Sequence, residues 1–180
     1  MVFWRDIELP GFDRPLVPVE PARREALAAH LKDVLADVSV PDIKGAASNT
    51  NPAAPDFRDA CAACRGHCCR KGGNDAYLDF KSTALAWGRF PHLSKDELIA
   101  AYLAAVPDRA FADSCIYHAE HGCNLPETMR APVSGAYLCA PLLKLKTVIS
   151  GETVSLLRHD KGRPYRRLEK ETQSDSPAAR

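Results

Sequence analysis

Residues 61–69 read Cys61-Ala-Ala-Cys64-Arg-Gly-His-Cys68-Cys69, which places four of the seven cysteines of the 180-residue chain in one short run. Thiolates bind zinc and iron-sulfur clusters well because sulfur is a soft donor, and ligands that are close in sequence lose little further chain entropy when a metal gathers them. Three more cysteines follow at Cys115, Cys123 and Cys139. The pattern therefore predicts a metal site that two segments of the chain close together.

Cysteines can also be buried singly in a core or paired in a disulfide framework. Scattered core cysteines would have no reason to be grouped at gaps of two and three residues. A disulfide framework is typical of small secreted chains, but the cysteine count is odd and the vicinal pair Cys68-Cys69 makes an awkward disulfide. The first residues also lack an apolar segment of secretory length. We therefore expect reduced thiols in a cytoplasmic protein.

The composition predicts a globular chain without a strong overall electrostatic field. Hydrophobic residues make up 46% and aromatic residues only 7%, which suits one domain with a modest core. The formal net charge of +1 gives no global attraction to nucleic acid or anionic lipid. No stretch approaches the roughly 18 apolar residues of a membrane helix. The expected partner is a metal ion or cluster, with a protein partner left open and neither a membrane nor nucleic acid expected.

One amphipathic helix is predicted near the N-terminus. Residues 1–19 are rich in proline and are expected to form an extended arm that lies on the domain. Residues 20–38 carry apolar side chains at helical spacing, namely Leu27, Leu31, Val34, Leu35 and Val38. Residues 41–55 combine prolines with small polar residues and show no periodicity, which predicts a surface loop.

If residues 57–69 are wholly or partly helical, the first cysteines are aligned. Cys61, Cys64 and Cys68 would then stand at i, i+3 and i+7 along one stripe, with Cys69 beside it. Gly66 and the pair at 72–73 allow the backbone to turn tightly, either as a metal-binding loop or as an ordinary helix end.

Two further helices are predicted between the cysteine segments. The first covers residues 77–90 and ends before Pro91. Ser94 and Glu97 match a capping box, which indicates the start of a second helix that stops at Pro107.

The fold class that follows is mainly α. It is a small irregular α-helical domain built around a cysteine-rich metal site. Residues 142–157 fit either a short C-terminal β-hairpin or a helix followed by a strand, and periodicity does not decide between them. The expected organisation is an N-terminal arm, amphipathic helix and loop over 1–56, the cysteine-cluster metal-binding domain over 57–143, a C-terminal extension packed on that domain over 144–171 and a disordered tail over 172–180.

The second cysteine region makes a resemblance specific. It contains Cys115, the pair Gly122-Cys123, Arg130 and a Tyr-x-Cys ending at Cys139. Together with the run at 61–69, these residues resemble the YkgJ-like cysteine-cluster family, a zinc- or iron-chelating domain described by its CxxCxxxCC motif. The similarity spans roughly residues 59–143, about half of the chain.

The resemblance implies metal chelation by the clustered cysteines, and the same type of domain accompanies the methyltransferase in flagellin lysine methylases. By position, the metal ligands that it implies are Cys61, Cys64, Cys68 and Cys69 for the signature, Cys115 and Cys123 for the middle pair, and Cys139 for the terminal cysteine. Some relatives have a further cysteine where this chain has Ser134. An arrangement of eight cysteines in two sites is therefore not implied.

The number of ligands leaves the metal open. Structural zinc and cubane iron-sulfur clusters each usually take four ligands, so seven cysteines exceed one site by three. The extra cysteines are either spare or join histidines in a second site, for which the candidates are His67, His118 and His121. Arg65, Arg70 and Arg130 are candidates for offsetting thiolate charge. A compact trio with a distant fourth cysteine favours an iron-sulfur cluster over zinc, because zinc ribbons use two separated C-x2-C pairs.

Three classes of function remain. The first and preferred one is a metal-binding protein that chelates an iron-sulfur cluster or zinc. The second is a redox or electron-transfer accessory subunit of an enzyme such as a methyltransferase, and the third is a metal-free thiol redox protein. No G-x-G-x-x-G, P-loop, nucleophile elbow or H-E-x-x-H motif supports independent catalysis, so no catalytic residue is named.

Overall fold

A computed structural model describes residues 3–10, 14–36, 38, 64–137, 139–146, 152–158 and 166–170. Helices contain more of these residues than strands do, so the fold is mainly α, as predicted. The chain folds into two compact units. Unit 1 comprises residues 1–13, 55–67 and 138–180, and unit 2 comprises residues 14–54 and 68–137. The segment predicted as one metal-binding domain, 57–143, is thus shared between the two units.

Helix α1 of unit 2 spans Pro21–Ala36. Leu27, Leu31 and Leu35 are buried at intervals of four residues, which is the spacing of one helix face. The helix predicted over residues 20–38 is therefore confirmed. The loop predicted over residues 41–55 lies outside the described residues.

Helices α2 (Phe80–Arg89) and α3 (Lys95–Ala104) each begin at a capping box. The carboxylate of Asp79 accepts a hydrogen bond from the backbone N–H of Ser82 at 2.7 Å. At α3, Ser94 caps the backbone N–H of Glu97 at 3.2 Å, as predicted. Helix α2 begins three residues later than predicted because Tyr77 has a φ of 60° and Asp79 is the N-cap.

The core of unit 2 contains two buried tyrosines whose hydroxyl groups are satisfied by backbone carbonyls. Tyr117 donates to the carbonyl of Tyr102, and Tyr102 donates to the carbonyl of Met129, both at 3.0 Å. Burial raises the pKa of Tyr102 and of Tyr117. Buried polar groups need hydrogen-bond partners. Here the partners of the two hydroxyl groups connect α3 to the segments on either side of Cys123.

Short strands and helices complete unit 2. Strand β2 (Leu16–Pro18) pairs with β3 (Arg109–Phe111) in an antiparallel manner. Strands β4 (His118–Ala119) and β5 (Gly122–Cys123) form a small antiparallel hairpin. Helix α4 spans Pro132–Ala136, after a 3-10 turn at Glu127–Met129.

Unit 1 contains a three-stranded sheet. Strand β1 (Phe3–Leu9) runs parallel to β6 (Glu152–Arg158), which pairs antiparallel with β7 (Arg166–Lys170). Helix α5 (Ala140–Lys146) precedes β6. The described part of the N-terminal arm is extended, as predicted. Of the two alternatives for residues 142–157, the helix followed by a strand is the one observed, because α5 occupies the place of the first hairpin strand and β6 pairs with β7 further along the chain. The predicted disordered tail lies outside the described residues.

Within the described ranges, no helix has both the length and the apolar character that crossing a bilayer requires.

The Asp79→Ala substitution is expected to lower the free energy of unfolding by about 1 kcal/mol, because the N-cap of α2 is lost. Asp79→Asn is the control, since its side-chain oxygen still accepts the hydrogen bond and it should stay close to wild type. Urea denaturation at pH 7 measures both. Equal urea midpoints for Asp79→Ala and wild type would contradict a contribution from this cap.

The pH dependence of the same cap follows from its hydrogen bonds. Bonds from the backbone and side chain of Ser82 lower the pKa of Asp79. The carboxylate therefore stabilises the fold above its unfolded pKa of about 3.9, and this stabilisation is lost as the pH falls through the lower folded pKa. The difference in the free energy of unfolding between wild type and Asp79→Ala should become smaller on acidification. The difference between Asp79→Asn and Asp79→Ala should stay the same, because the asparagine side chain does not titrate.

Candidate metal centre

Four of the predicted ligand cysteines lie in unit 2, on three separate segments. Cys68 and Cys69 are part of a 3-10 helix at His67–Gly72, Cys115 follows β3, and Cys123 ends β5. Cys68 is exposed, Cys69 and Cys123 are half-buried and Cys115 is buried. None of the six described cysteines forms a disulfide.

The predicted helical stripe of cysteines is interrupted, which corrects the sequence analysis. Arg65 has a φ of 53° and Gly66 a φ of 66°. An α-helix cannot continue through two residues in the left-handed region, and the chain enters the 3-10 helix directly afterwards. The expectation that Gly66 permits a tight turn is confirmed. Cys61 lies outside the described residues.

The second cysteine segment joins the first through its backbone. Cys115 donates its N–H to the carbonyl of Cys69 at 3.1 Å, and Ile116 donates to the carbonyl of Gly73 at 2.8 Å. A Cβ at Gly72 would lie 2.8 Å from the Cβ of Cys115 and 3.1 Å from its Sγ. The two segments can therefore approach this closely only because residue 72 has no side chain.

The third segment is held by a hairpin and an arginine. Cys123 pairs with His118 across the hairpin, and Gly122 has a φ of 110°. Arg130 donates from Nε to the carbonyl of Leu125 at 2.7 Å and from Nη2 to the carbonyl of Cys123 at 3.2 Å. Arg130 was a candidate for offsetting thiolate charge, and its observed contacts are to backbone carbonyls beside Cys123.

The thiols of unit 2 act on one another electrostatically. The Cys69 thiol donates a hydrogen bond to the sulfur of Cys68, which lowers the pKa of Cys68 to about 6 and raises that of Cys69. Burial and the charges of Cys68, Cys115 and Cys123 raise the pKa of Cys69 further. Burial raises the pKa of Cys115 to about 11, and the charge of Cys123 adds to this. The charges of the other three thiols therefore all act on Cys69.

Backbone strain accompanies the cysteine segments. The non-glycine residues with positive φ in the described part of the chain are Arg65, Ala76, Tyr77 and Asp113. Such conformations cost on the order of 1 kcal/mol each and are concentrated at functional sites. Each of them lies within eight residues of Cys68, Cys69 or Cys115 along the chain.

The other candidate ligands occupy different parts of the chain. Cys64 is buried and Cys139 half-buried, and both belong to unit 1. His118 is buried, and its Nδ1 shares a hydrogen bond of 2.8 Å with the hydroxyl of Ser114. His121 is exposed at the turn of the β4–β5 hairpin, and His67 begins the 3-10 helix.

Arg23 of α1 is the residue that the sequence analysis missed. Its Nε donates to Oδ1 of Asn74 and its Nη2 to the carbonyl of Ser114, both at 2.7 Å. Its charge also acts to lower the pKa of Cys115, against the larger effect of burial. No local signal could have identified it, because Arg23 and Cys69 are 46 positions apart in the sequence.

The donor atoms are of the kind that a thiophilic metal prefers, but the described side chains are not arranged to bind one. Four thiols are the number that zinc or a cubane cluster takes. Across the described residues, however, no group of three or more His, Cys, Asp or Glu side chains is arranged so that it could hold a metal ion. Comparison with known proteins finds no matching family model, no matching curated protein and no matching solved structure.

In reduced, metal-free protein, iodoacetamide is expected to modify Cys68 well before Cys115. Cys68 is exposed and the hydrogen bond from Cys69 favours its thiolate, whereas Cys115 is only 8% exposed and its pKa is raised. Peptide mapping by mass spectrometry measures the two rates. Protein unfolded in guanidinium is the control, in which the rates should converge. Equal rates in the folded protein would contradict the described environments.

Proposed function

We propose that this chain is a metal-binding protein that chelates an iron-sulfur cluster or zinc through its clustered cysteines. The ligands assigned in unit 2 are Cys68, Cys69, Cys115 and Cys123. The observation that carries the proposal is that these thiols come from three segments of the chain, that backbone hydrogen bonds join the Cys69 and Cys115 segments, and that the charges of Cys68, Cys115 and Cys123 all act on the Cys69 thiol. Grouped thiolates repel each other, and a bound cation removes that repulsion.

Metal binding would require local rearrangement, because the described thiols do not form a ligand group as they stand. The backbones of the Cys69 and Cys115 segments are already joined, so we expect the rearrangement to involve the side chains and the loops that carry Cys68 and Cys123. Ligands must also lose their protons, which couples metal affinity to pH and to local folding. The exposed position of Cys68 offers a route of entry for the metal.

The spacing of the cysteines favours an iron-sulfur cluster, since Cys115 and Cys123 do not form the second C-x2-C pair of a zinc ribbon. The resemblance to the YkgJ-like cysteine-cluster family supports metal chelation in general. It also supports the alternative role of an electron-transfer accessory beside a methyltransferase. Reduced thiols of this kind suit a cytoplasmic protein.

The first test is the metal content of full-length protein purified without oxygen. About four iron and four acid-labile sulfide per chain are expected for a cubane cluster, and one or two zinc without sulfide for the zinc form. Protein that contains no metal, and takes up neither zinc nor iron with sulfide on reconstitution, would overturn the proposal and favour metal-free thiol redox chemistry.

The ligand assignment is tested by Cys69→Ser with Cys115→Ser in one variant. Removing both thiols should abolish the metal held by unit 2, because the two remaining cysteines cannot complete a four-ligand site. Cys139→Ser is the matched control, since Cys139 is half-buried like Cys69 but belongs to unit 1. Metal per chain and circular dichroism are measured for each. An unchanged metal content in the double variant would show that the ligands lie elsewhere.

A further inference from the structure

We propose that Arg23 is a positioning residue for the thiol site, because its guanidinium holds together the two loops that carry Cys69 and Cys115. The inference rests on the proposed function and deepens it by assigning the residue that controls the affinity of the site for metal.

The geometry of Arg23 is that of a bridge between the loops. Asn74 lies five positions after Cys69, and Ser114 immediately precedes Cys115. Arg23 donates to Oδ1 of Asn74 from Nε and to the carbonyl of Ser114 from Nη2, each at 2.7 Å. One planar guanidinium thus binds both loops at once, which a lysine ammonium on a flexible stem does less well.

The helix that carries Arg23 is firmly anchored. Arg23 belongs to α1, which is anchored in the core by Leu27, Leu31 and Leu35. Its contacts lie beside the backbone bonds that join the same loops, from Cys115 to Cys69 and from Ile116 to Gly73. Residues that orient ligands from outside typically change metal affinity by roughly 10- to 100-fold when they are removed. Arg23 is suited to this role because it touches both loops without contributing a ligand.

Arg24 provides a matched comparison. It is the next residue of the same helix, and its Nη2 also donates to backbone carbonyls, those of Val106 at 3.3 Å and Pro107 at 3.0 Å. These carbonyls follow α3 and belong to neither of the two cysteine-bearing loops. Arg24→Ala therefore removes a similar cross-link while leaving the bridge intact.

The experiment measures Zn²⁺ affinity of the full reduced chain by competition with a chromophoric chelator. Arg23→Ala is expected to weaken zinc binding by at least about 10-fold, and Arg24→Ala by less than about 2-fold. Asn74→Ala removes only one arm of the bridge and should weaken binding in the same direction, which keeps the test decisive if Arg23→Ala does not fold. Equal affinities for Asn74→Ala, Arg24→Ala and wild type would overturn the role of Arg23.

A metal-free measurement separates this inference from the proposed function. Hydrogen exchange at the amides of Cys115 and Ile116 should be faster by about 10-fold or more in Arg23→Ala than in Arg24→Ala, because the loop pairing loses a charge-assisted contact. Exchange that is equally fast in the two variants would refute the bridge. If wild type binds no metal but the exchange rates differ as expected, the proposed function fails while the loop-positioning role stands.

Discussion

The close approach of Gly72 to Cys115 is the constraint on which the arrangement of the thiols depends. A Cβ at residue 72 would meet the Cβ of Cys115 at 2.8 Å, a distance that real Cβ atoms do not tolerate. Absence of a side chain there lets Cys115 donate its N–H to the carbonyl of Cys69. Two cysteines that are 46 residues apart in the sequence are thereby held on adjacent backbones.

Assembling the thiols is unfavourable in itself, and the rest of unit 2 offsets this. Burial disfavours the thiolate of Cys115, and left-handed backbone at Ala76 and Tyr77 adds strain. The buried Tyr102 and Tyr117, with their satisfied hydroxyl groups, connect α3 to the segments before and after Cys123. Loops that carry reactive groups on a well-packed scaffold are the usual location of function in proteins.

Local patterns predicted the helices well and the cysteine loop poorly. The capping box at Ser94 and the apolar spacing of Leu27, Leu31 and Leu35 depend on residues a few positions apart, so they can be read directly. The cysteine stripe does not continue to Cys68 because Arg65 adopts a left-handed φ, which an arginine rarely does without support from its surroundings. Gly66 indicates a turn next to Arg65, but no sequence pattern indicates a left-handed φ at Arg65 itself.

The sequence by itself determined that thiols are abundant, where they are grouped and which segments form α1, α2 and α3. Only the tertiary structure decided that Cys68, Cys69, Cys115 and Cys123 share one unit, that His118 is engaged with Ser114, and that Arg23 bridges the loops. The physical reason is the range of the interactions. Helix periodicity and capping act within one or two turns, whereas loop pairing depends on packing between residues that are distant along the chain.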